Sequence, residues 1–134
     1  MSYLCNMLYL KTKTDTLTIP HIRKLVGEVL QYCRDNLGVN RKSYKLTYKV
    51  SDMDSFYGYY NYRDNHMVIS RRECHDVKMI IKTVIHEYTH SLQNMRHYNN
   101  TLNKVGYKNH PLEIVANNME QHYKDCFKQI KHKI

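Results

Sequence analysis

Residues 77–95 read VKMIIKTVIHEYTHSLQNM, and apolar side chains recur in this segment at intervals of three and four. That spacing places the apolar groups along one face of an α-helix. The pattern predicts one long amphipathic helix over about residues 74–98, ended at Asn99. Its second half contains the five residues from His86 to His90, His-Glu-Tyr-Thr-His, in which two histidines are four residues apart.

A helix is predicted on each side of this segment. Upstream, apolar positions recur over residues 20–37, with Pro20 suited to the first turn and Gly38 suited to the end of the helix. Downstream, a polar loop leads to Pro111, where a third helix begins and continues to about residue 130.

The residues between the first two helices predict a small β-sheet. Residues 44–50 alternate apolar and polar, residues 57–62 are rich in tyrosine, and residues 66–70 are mainly apolar after a turn at Asp64 and Asn65. The last two segments form a predicted hairpin. The order helix, strands, helix, helix indicates an α+β fold, in which the helices pack on one face of a sheet of about three strands.

Length and composition indicate one folded domain over residues 1–134, with 42% hydrophobic and 25% charged residues. The four cysteines form no Cys-x-x-Cys pair: Cys5, Cys33, Cys74 and Cys126. We expect free thiols, as in proteins of a reducing compartment. No segment is typical of a secretory signal or long and apolar enough for a membrane helix. These features predict an intracellular, cytoplasmic protein without membrane association.

The chain carries 21 Lys and Arg residues against 12 Asp and Glu residues, a formal net charge of +9. Such a surplus favours acidic partners, and it supports nonspecific, salt-sensitive contact with nucleic acid. The basic residues are spread along the whole sequence, as a solvated polar surface also requires. Six tyrosines between positions 44 and 62 could stack on nucleobases, although such rings more often pack one face of a sheet.

Two histidines four residues apart on a helix lie on the same face, one turn apart. Both imidazole rings of His86 and His90 can therefore reach one zinc ion at about 2 Å. Glu87 follows the first histidine, where its carboxylate can accept a proton from a water molecule that the metal activates. The simpler alternative is a pair of surface histidines on an amphipathic helix.

A catalytic zinc site needs a third protein ligand. Gln93 and Arg96 occupy the positions where metzincins have Gly and His, so that class is excluded. On a continuous helix His97 would lie about 10 Å from His90 along the axis, too far for a shared metal ion. The ligand is therefore expected from the downstream segment.

Two downstream residues offer suitable ligand atoms, Glu113 and His110. Taken alone, Glu113 is explained by its place in the first turn of a helix, where the helix dipole favours an acidic side chain. Its occurrence after an H-E-x-x-H helix and an intervening loop favours ligation.

The motif His86-Glu87-x-x-His90, followed by a helix that begins Glu113-Ile-Val-Ala-Asn117, resembles the gluzincin metallopeptidases. The nearest resemblance is to their minimal members, the minigluzincins and the SprT-like or ImmA/IrrE-type proteins, and it covers roughly residues 44–125. It implies that Glu113 is the third Zn²⁺ ligand and that Asn117 orients a ligating histidine. SprT-like proteins use a third histidine instead of glutamate.

His110 is the residue that fits the SprT-like variant. The resemblance also implies a Tyr or His that stabilises the oxyanion, for which Tyr107 is our first candidate and His110 and Tyr123 are alternatives. In the wider family the strand before the motif helix binds substrate as an edge strand, which would be residues 66–70 here.

The sequence therefore predicts a zinc metallopeptidase that acts on peptide or protein substrates, with Glu87 as general base. The alternative is an SprT-like or catalytically idle basic zinc-binding module that associates with DNA or protein. A third possibility is a peptidase whose own terminus fills the cleft.

Overall fold

A computed structural model of the chain describes residues 9–39, 41–42 and 45–134. Its helices are α1 (Ile19–Asn36), α2 (Val77–Ser91), α3 (Tyr98–Val105), α4 (Pro111–Met119) and α5 (Tyr123–Ile130), and its strands are β1 (Thr47–Ser51), β2 (Gly58–Asn61) and β3 (His66–Ser70). Short 3-10 turns lie at Thr14–Thr16, Glu120–His122 and Lys131–Lys133. The predicted α+β fold with a three-stranded sheet is confirmed. Cys5 and the predicted strand residue Tyr44 lie outside the described residues.

Helix α1 forms within one residue of its predicted bounds. Thr18 caps its N-terminus by accepting a hydrogen bond from the His21 N–H, at 3.2 Å. The apolar face of α1, which includes Leu25 and Val29, is fully buried and packs against α2 and β1. This helix therefore backs the core behind the motif helix, as predicted.

The sheet has the strand order β1-β3-β2. β1 runs parallel to β3, and β2 pairs with β3 as the predicted antiparallel hairpin. The prediction that residues 66–70 form an edge strand is wrong, because β3 lies in the centre with a partner strand on each side. Four successive residues of this central strand, Met67 to Ser70, are buried.

The motif helix is shorter than predicted. Asp76 caps the N-terminus of α2 by accepting from the Met79 N–H, at 2.8 Å, and the helix ends at Ser91. The chain then turns, and α3 replaces the predicted polar loop, so that Asn99 lies within a helix instead of ending one. Met95 is buried although it lies in the non-helical turn after α2. The apolar pattern of the sequence therefore extends beyond the end of the helix.

The predicted third helix, residues 111–130, consists of α4 and α5 joined by the 3-10 turn Glu120–His122. α4 packs against α2, whereas α5 packs against both α1 and α2. The turn between them contacts α2 and brings Glu120 to the motif helix.

Three thiols belong to the described part of the chain, those of Cys33, Cys74 and Cys126, and all are free and buried. Within the described ranges, no helix combines the length and the apolar character that crossing a bilayer requires.

Candidate metal centre

The second half of α2 is buried on all sides, although it carries charged and polar groups. His86, Glu87 and His90 are 8%, 7% and 3% exposed. Burial of such groups is unfavourable unless each has a partner. The partners come from α4, from the 3-10 turn that follows it, and from the turn after α2.

The three predicted metal ligands meet at one point. Nε2 of His86 lies 2.9 Å from Oε1 of Glu113, Nε2 of His90 lies 3.0 Å from the same oxygen, and the two nitrogens are 3.2 Å apart. Glu113 reaches them from the first turn of α4 and is itself 4% exposed. These side chains form a buried group that could hold a metal ion.

The other ring nitrogen of each histidine already has an acceptor. Nδ1 of His86 lies 2.8 Å from Oε2 of Glu120, and Nδ1 of His90 lies 2.7 Å from Oε1 of Gln93. The amide nitrogen of Gln93 donates to the Leu112 carbonyl at 3.0 Å, which fixes the amide with its oxygen towards His90. Both Nδ1 atoms must therefore donate, and in a neutral imidazole this leaves Nε2 as an acceptor.

Two imidazole lone pairs and a carboxylate oxygen thus face each other without a donor between them. Such an arrangement is stable only with a cation or a proton at its centre. In the metal-free chain a proton serves: burial alone would lower the pKa of His86, but Glu113 and Glu120 outweigh it and raise that pKa to about 10. Burial would raise the pKa of Glu113, but its contacts with His86, His90 and Tyr98 hold that pKa well below the usual range.

The donor set fits zinc. Two histidine nitrogens and one carboxylate oxygen form a typical catalytic zinc ligand set, and tetrahedral ligands at about 2.0–2.1 Å from the metal lie about 3.3 Å from each other. The three ligand atoms here are separated by 2.9–3.2 Å, slightly less than that spacing. A small outward movement of the side chains would accommodate the ion.

His110, the alternative third ligand, has a structural role. It is 1% exposed and caps α4, where its Nδ1 accepts from the Leu112 N–H at 3.2 Å. Its Nε2 consequently donates to the Tyr98 carbonyl, at 3.1 Å. With both ring nitrogens used, His110 has no lone pair to offer a metal, and Glu113 is the third residue of the cluster.

Tyr98 was not predicted from the sequence. Its hydroxyl donates to Oε2 of Glu113, the oxygen that faces away from the histidines, and its ring stacks on His110 with centroids 4.2 Å apart. Burial and the adjacent Glu113 raise the pKa of Tyr98, so the hydroxyl keeps its proton. Tyr98 thereby directs Oε1 of Glu113 towards the two histidines.

Glu120, and not the predicted Asn117, makes the hydrogen bond that orients the His86 ring. Asn117 is exposed on α4 and lines the cleft, whereas the hydrogen bond to the His86 ring comes from Glu120, seven residues after Glu113. Lys82 approaches the other oxygen of Glu120 at 3.8 Å. A spacing of seven places Glu113 and Glu120 on one helical face, which is the sequence signal that could have indicated this carboxylate.

Glu87 and Tyr107, the predicted catalytic residues, both line the cleft above the cluster. Burial raises the pKa of Glu87 to about 7, although the neighbouring histidines lower it. Tyr107 is half-exposed, and burial together with the charge of Glu113 raises its pKa to about 12.

The cluster opens into a cleft of about 1080 Å³. Its lining includes the segment 55–63, which contains strand β2. Further lining residues come from α2, from the turn after it, from α3 and from the residues that follow α3. The cleft thus connects a buried polar cluster with a sheet edge.

Comparison of the chain with protein-family models, with curated proteins and with solved structures finds no match. The functional assignment rests on the site itself.

Proposed function

We propose that this protein is a zinc-dependent metallopeptidase of the gluzincin type. The observation that carries the proposal is the convergence of the Nε2 atoms of His86 and His90 with Oε1 of Glu113, which lie 2.9–3.2 Å from one another in a buried group that could hold a metal ion. Glu87 and the cleft adjoin the same point, so a general base and room for a substrate accompany the ligand set.

A zinc ion held there would lower the pKa of a water molecule to about 7 and polarise a peptide carbonyl. Glu87 adjoins this position, where it would act as the general base that accepts a proton from the attacking water and as the acid that returns it to the leaving amine. In the metal-free site burial raises the pKa of Glu87 to about 7, above the usual range of a carboxyl group. Tyr107, protonated near neutral pH, can donate to the developing oxyanion.

Strand β2, rather than β3, is positioned to bind an extended substrate. It has a partner strand on one side only among the described residues, and it lines the cleft. The Ser70 N–H donates to the Tyr57 carbonyl at 2.8 Å, so in this register Tyr57 directs its backbone groups towards β3 and Gly58 directs its own to the outer edge. An extended peptide can add to such an edge through main-chain hydrogen bonds.

The test is cleavage of fluorescence-quenched peptide mixtures by zinc-loaded protein. We expect Glu87→Gln to retain zinc, because the side chain is not a ligand, and to lose at least about a hundredfold in rate. Undiminished turnover by the variant would contradict the mechanism.

The rival function, a basic zinc-binding module without catalysis, is favoured only by the net charge of +9. The two functions differ at the metal, because a catalytic site keeps an open coordination position. We expect a hydroxamate to bind the zinc-loaded protein and not the metal-free protein. A zinc-loaded chain that binds no hydroxamate would favour the module.

A further inference from the structure

Not every positively charged side chain that lines the cleft has an acidic partner in the lining. Its acidic side chains are Glu87, Glu113 and Glu120, all of which belong to the cluster. Glu113 is one of the proposed metal ligands, and Glu120 is paired with Lys82. Two cations of the lining, Arg63 and Arg96, have no acidic partner among the remaining lining residues. The charge of Asp64 acts on Arg63 from outside the cleft, and the Arg63 guanidinium contacts the ring and hydroxyl of Tyr62.

Neither arginine is within ion-pair distance of a carboxylate in the described ranges of the chain. Two acidic residues that precede β2 are paired outside the cleft: Asp52 with Arg71 and Asp54 with Arg72, at 2.9 Å each.

Asp64, next to Arg63 in sequence, accepts from the Asn61 side chain at 3.1 Å and does not line the cleft. Both arginines are exposed, and both line the cleft. Arg63 follows β2 by two residues, whereas Arg96 lies in the turn between α2 and α3, so the cleft has a guanidinium group from each of these two segments.

Resting on the proposed peptidase function, we propose that the substrates are acidic peptide segments, whose carboxylates bind Arg63 and Arg96 in the cleft. Guanidinium groups bind carboxylates through paired N–H donors. Exposed aromatic rings at Phe56, Tyr57 and Tyr59 line the same cleft and provide apolar contact. The overall charge of +9 adds attraction of acidic chains at long range.

The experiment compares two quenched peptide mixtures that are identical except that Glu in the first is replaced by Gln in the second. One exposed arginine–carboxylate pair contributes up to about a fivefold preference, and two pairs up to about 25-fold. We expect the wild type to cleave the Glu mixture faster by such a factor at low salt. Arg63→Gln and Arg96→Gln should each reduce the ratio, and the double substitution to Glu should invert it.

Arg23→Gln is the matched control, because it removes one positive charge from the exposed side of α1 and does not line the cleft. It should leave the Glu-to-Gln ratio unchanged. An equal fall of the ratio in Arg23→Gln would attribute the preference to net charge and would overturn the assignment to Arg63 and Arg96.

A second readout separates this inference from the proposed function. Binding of the same two mixtures to zinc-loaded Glu87→Gln is measured by fluorescence anisotropy. Equal cleavage of both mixtures by the wild type would overturn the acidic preference and leave the peptidase standing. Arginine-dependent binding of the Glu mixture without any cleavage by the wild type would support the acidic site and contradict hydrolysis.

The absence of both binding and cleavage would overturn both proposals. Oligo(dT) that displaces the Glu mixture in an arginine-dependent way, at equal or lower concentration, would identify a phosphate backbone as the ligand and overturn the peptide assignment.

Discussion

Nδ1 of His86 donates a hydrogen bond to Oε2 of Glu120, at 2.8 Å, across the gap between α2 and the 3-10 turn that follows α4. This contact sets the tautomer of the histidine and aims its Nε2 at Oε1 of Glu113. The carboxylate that orients His86 is thus that of Glu120, which lies two helical turns after Glu113.

Loss of that carboxylate should weaken metal binding. We expect Glu120→Gln to raise the zinc dissociation constant by about 10- to 100-fold, because such supporting residues orient the ring and increase its basicity. Asn117→Ala is the matched control and should have little effect, since Asn117 is exposed. Competition with a chromophoric chelator measures both constants, and the reverse order of effects would assign the supporting role to Asn117.

Substitutions of the two tyrosines near Glu113 should act mainly on different quantities, one on the zinc affinity and the other on the catalytic rate. Tyr98→Phe removes the hydroxyl that donates to Glu113, and we expect about a tenfold loss of zinc affinity, as for a hydrogen bond to a charged group. The Tyr107 hydroxyl also interacts with Glu113, but Tyr107 is half-exposed, so Tyr107→Phe should lower the zinc affinity less than Tyr98→Phe does and should mainly lower kcat. Chelator competition and peptide hydrolysis distinguish them, and a Tyr107→Phe variant with unchanged kcat would exclude that hydroxyl from catalysis.

Gly58 should be required for the position of β2 against α2. A Cβ at residue 58 would lie 2.7 Å from the Val68 carbonyl oxygen and 2.9 Å from Cγ2 of Thr83. Gly58→Ala should therefore cost about 1–3 kcal/mol in the free energy of unfolding.

Gly27→Ala in α1 is the matched control for that substitution. Its Cβ would approach only the Tyr48 hydroxyl, at 3.1 Å, and alanine favours a helix over glycine. Urea denaturation should show destabilisation for residue 58 and no comparable loss for residue 27. Equal effects of the two substitutions would contradict the close packing of β2.

Stability should fall at alkaline pH, in part through Cys74. Burial raises the pKa of this thiol from 9.0 to about 11, so the unfolded chain loses the proton at lower pH than the folded chain. The contribution is complete below pH 9 and is lost between pH 9 and about 11, by about 1.4 kcal/mol per pH unit.

Cys74→Ser removes this ionisation, and its hydroxyl can keep the contacts of the thiol with Tyr57 and Thr83. We expect its unfolding free energy, measured by urea denaturation of metal-free protein, to fall less steeply with pH in that interval. An identical slope for both proteins would show that the Cys74 thiol ionises normally in the fold.

The sequence predicted the elements that local periodicity defines and the ligands that a motif defines. Helix α1 and the hairpin of β2 and β3 follow from the spacing of residues along the chain, whereas the convergence of His86 with Glu113 was expected from the motif and the family resemblance. Periodicity could not locate the end of α2, since Met95 remains buried outside the helix. The position of Tyr98 depends on the turn that follows α2. Its contact with Glu113 therefore could not be predicted from the local sequence.

The order of the strands in the sheet could not be predicted from the sequence either. Which strand lies in the centre depends on the parallel pairing of β1 with β3, a contact between distant segments. The unbroken burial of Met67 to Ser70 is consistent with a central strand, whereas the predicted edge position came from the family resemblance alone.

Zinc stoichiometry tests the central claim most directly. Elemental analysis of the wild type, Glu113→Gln and His110→Asn should give one zinc per chain for the wild type, little for Glu113→Gln, and one for His110→Asn, since asparagine can replace histidine as a helix cap. Circular dichroism confirms that each variant is folded. Zinc that is retained by folded Glu113→Gln and lost from folded His110→Asn would contradict the assigned ligand set.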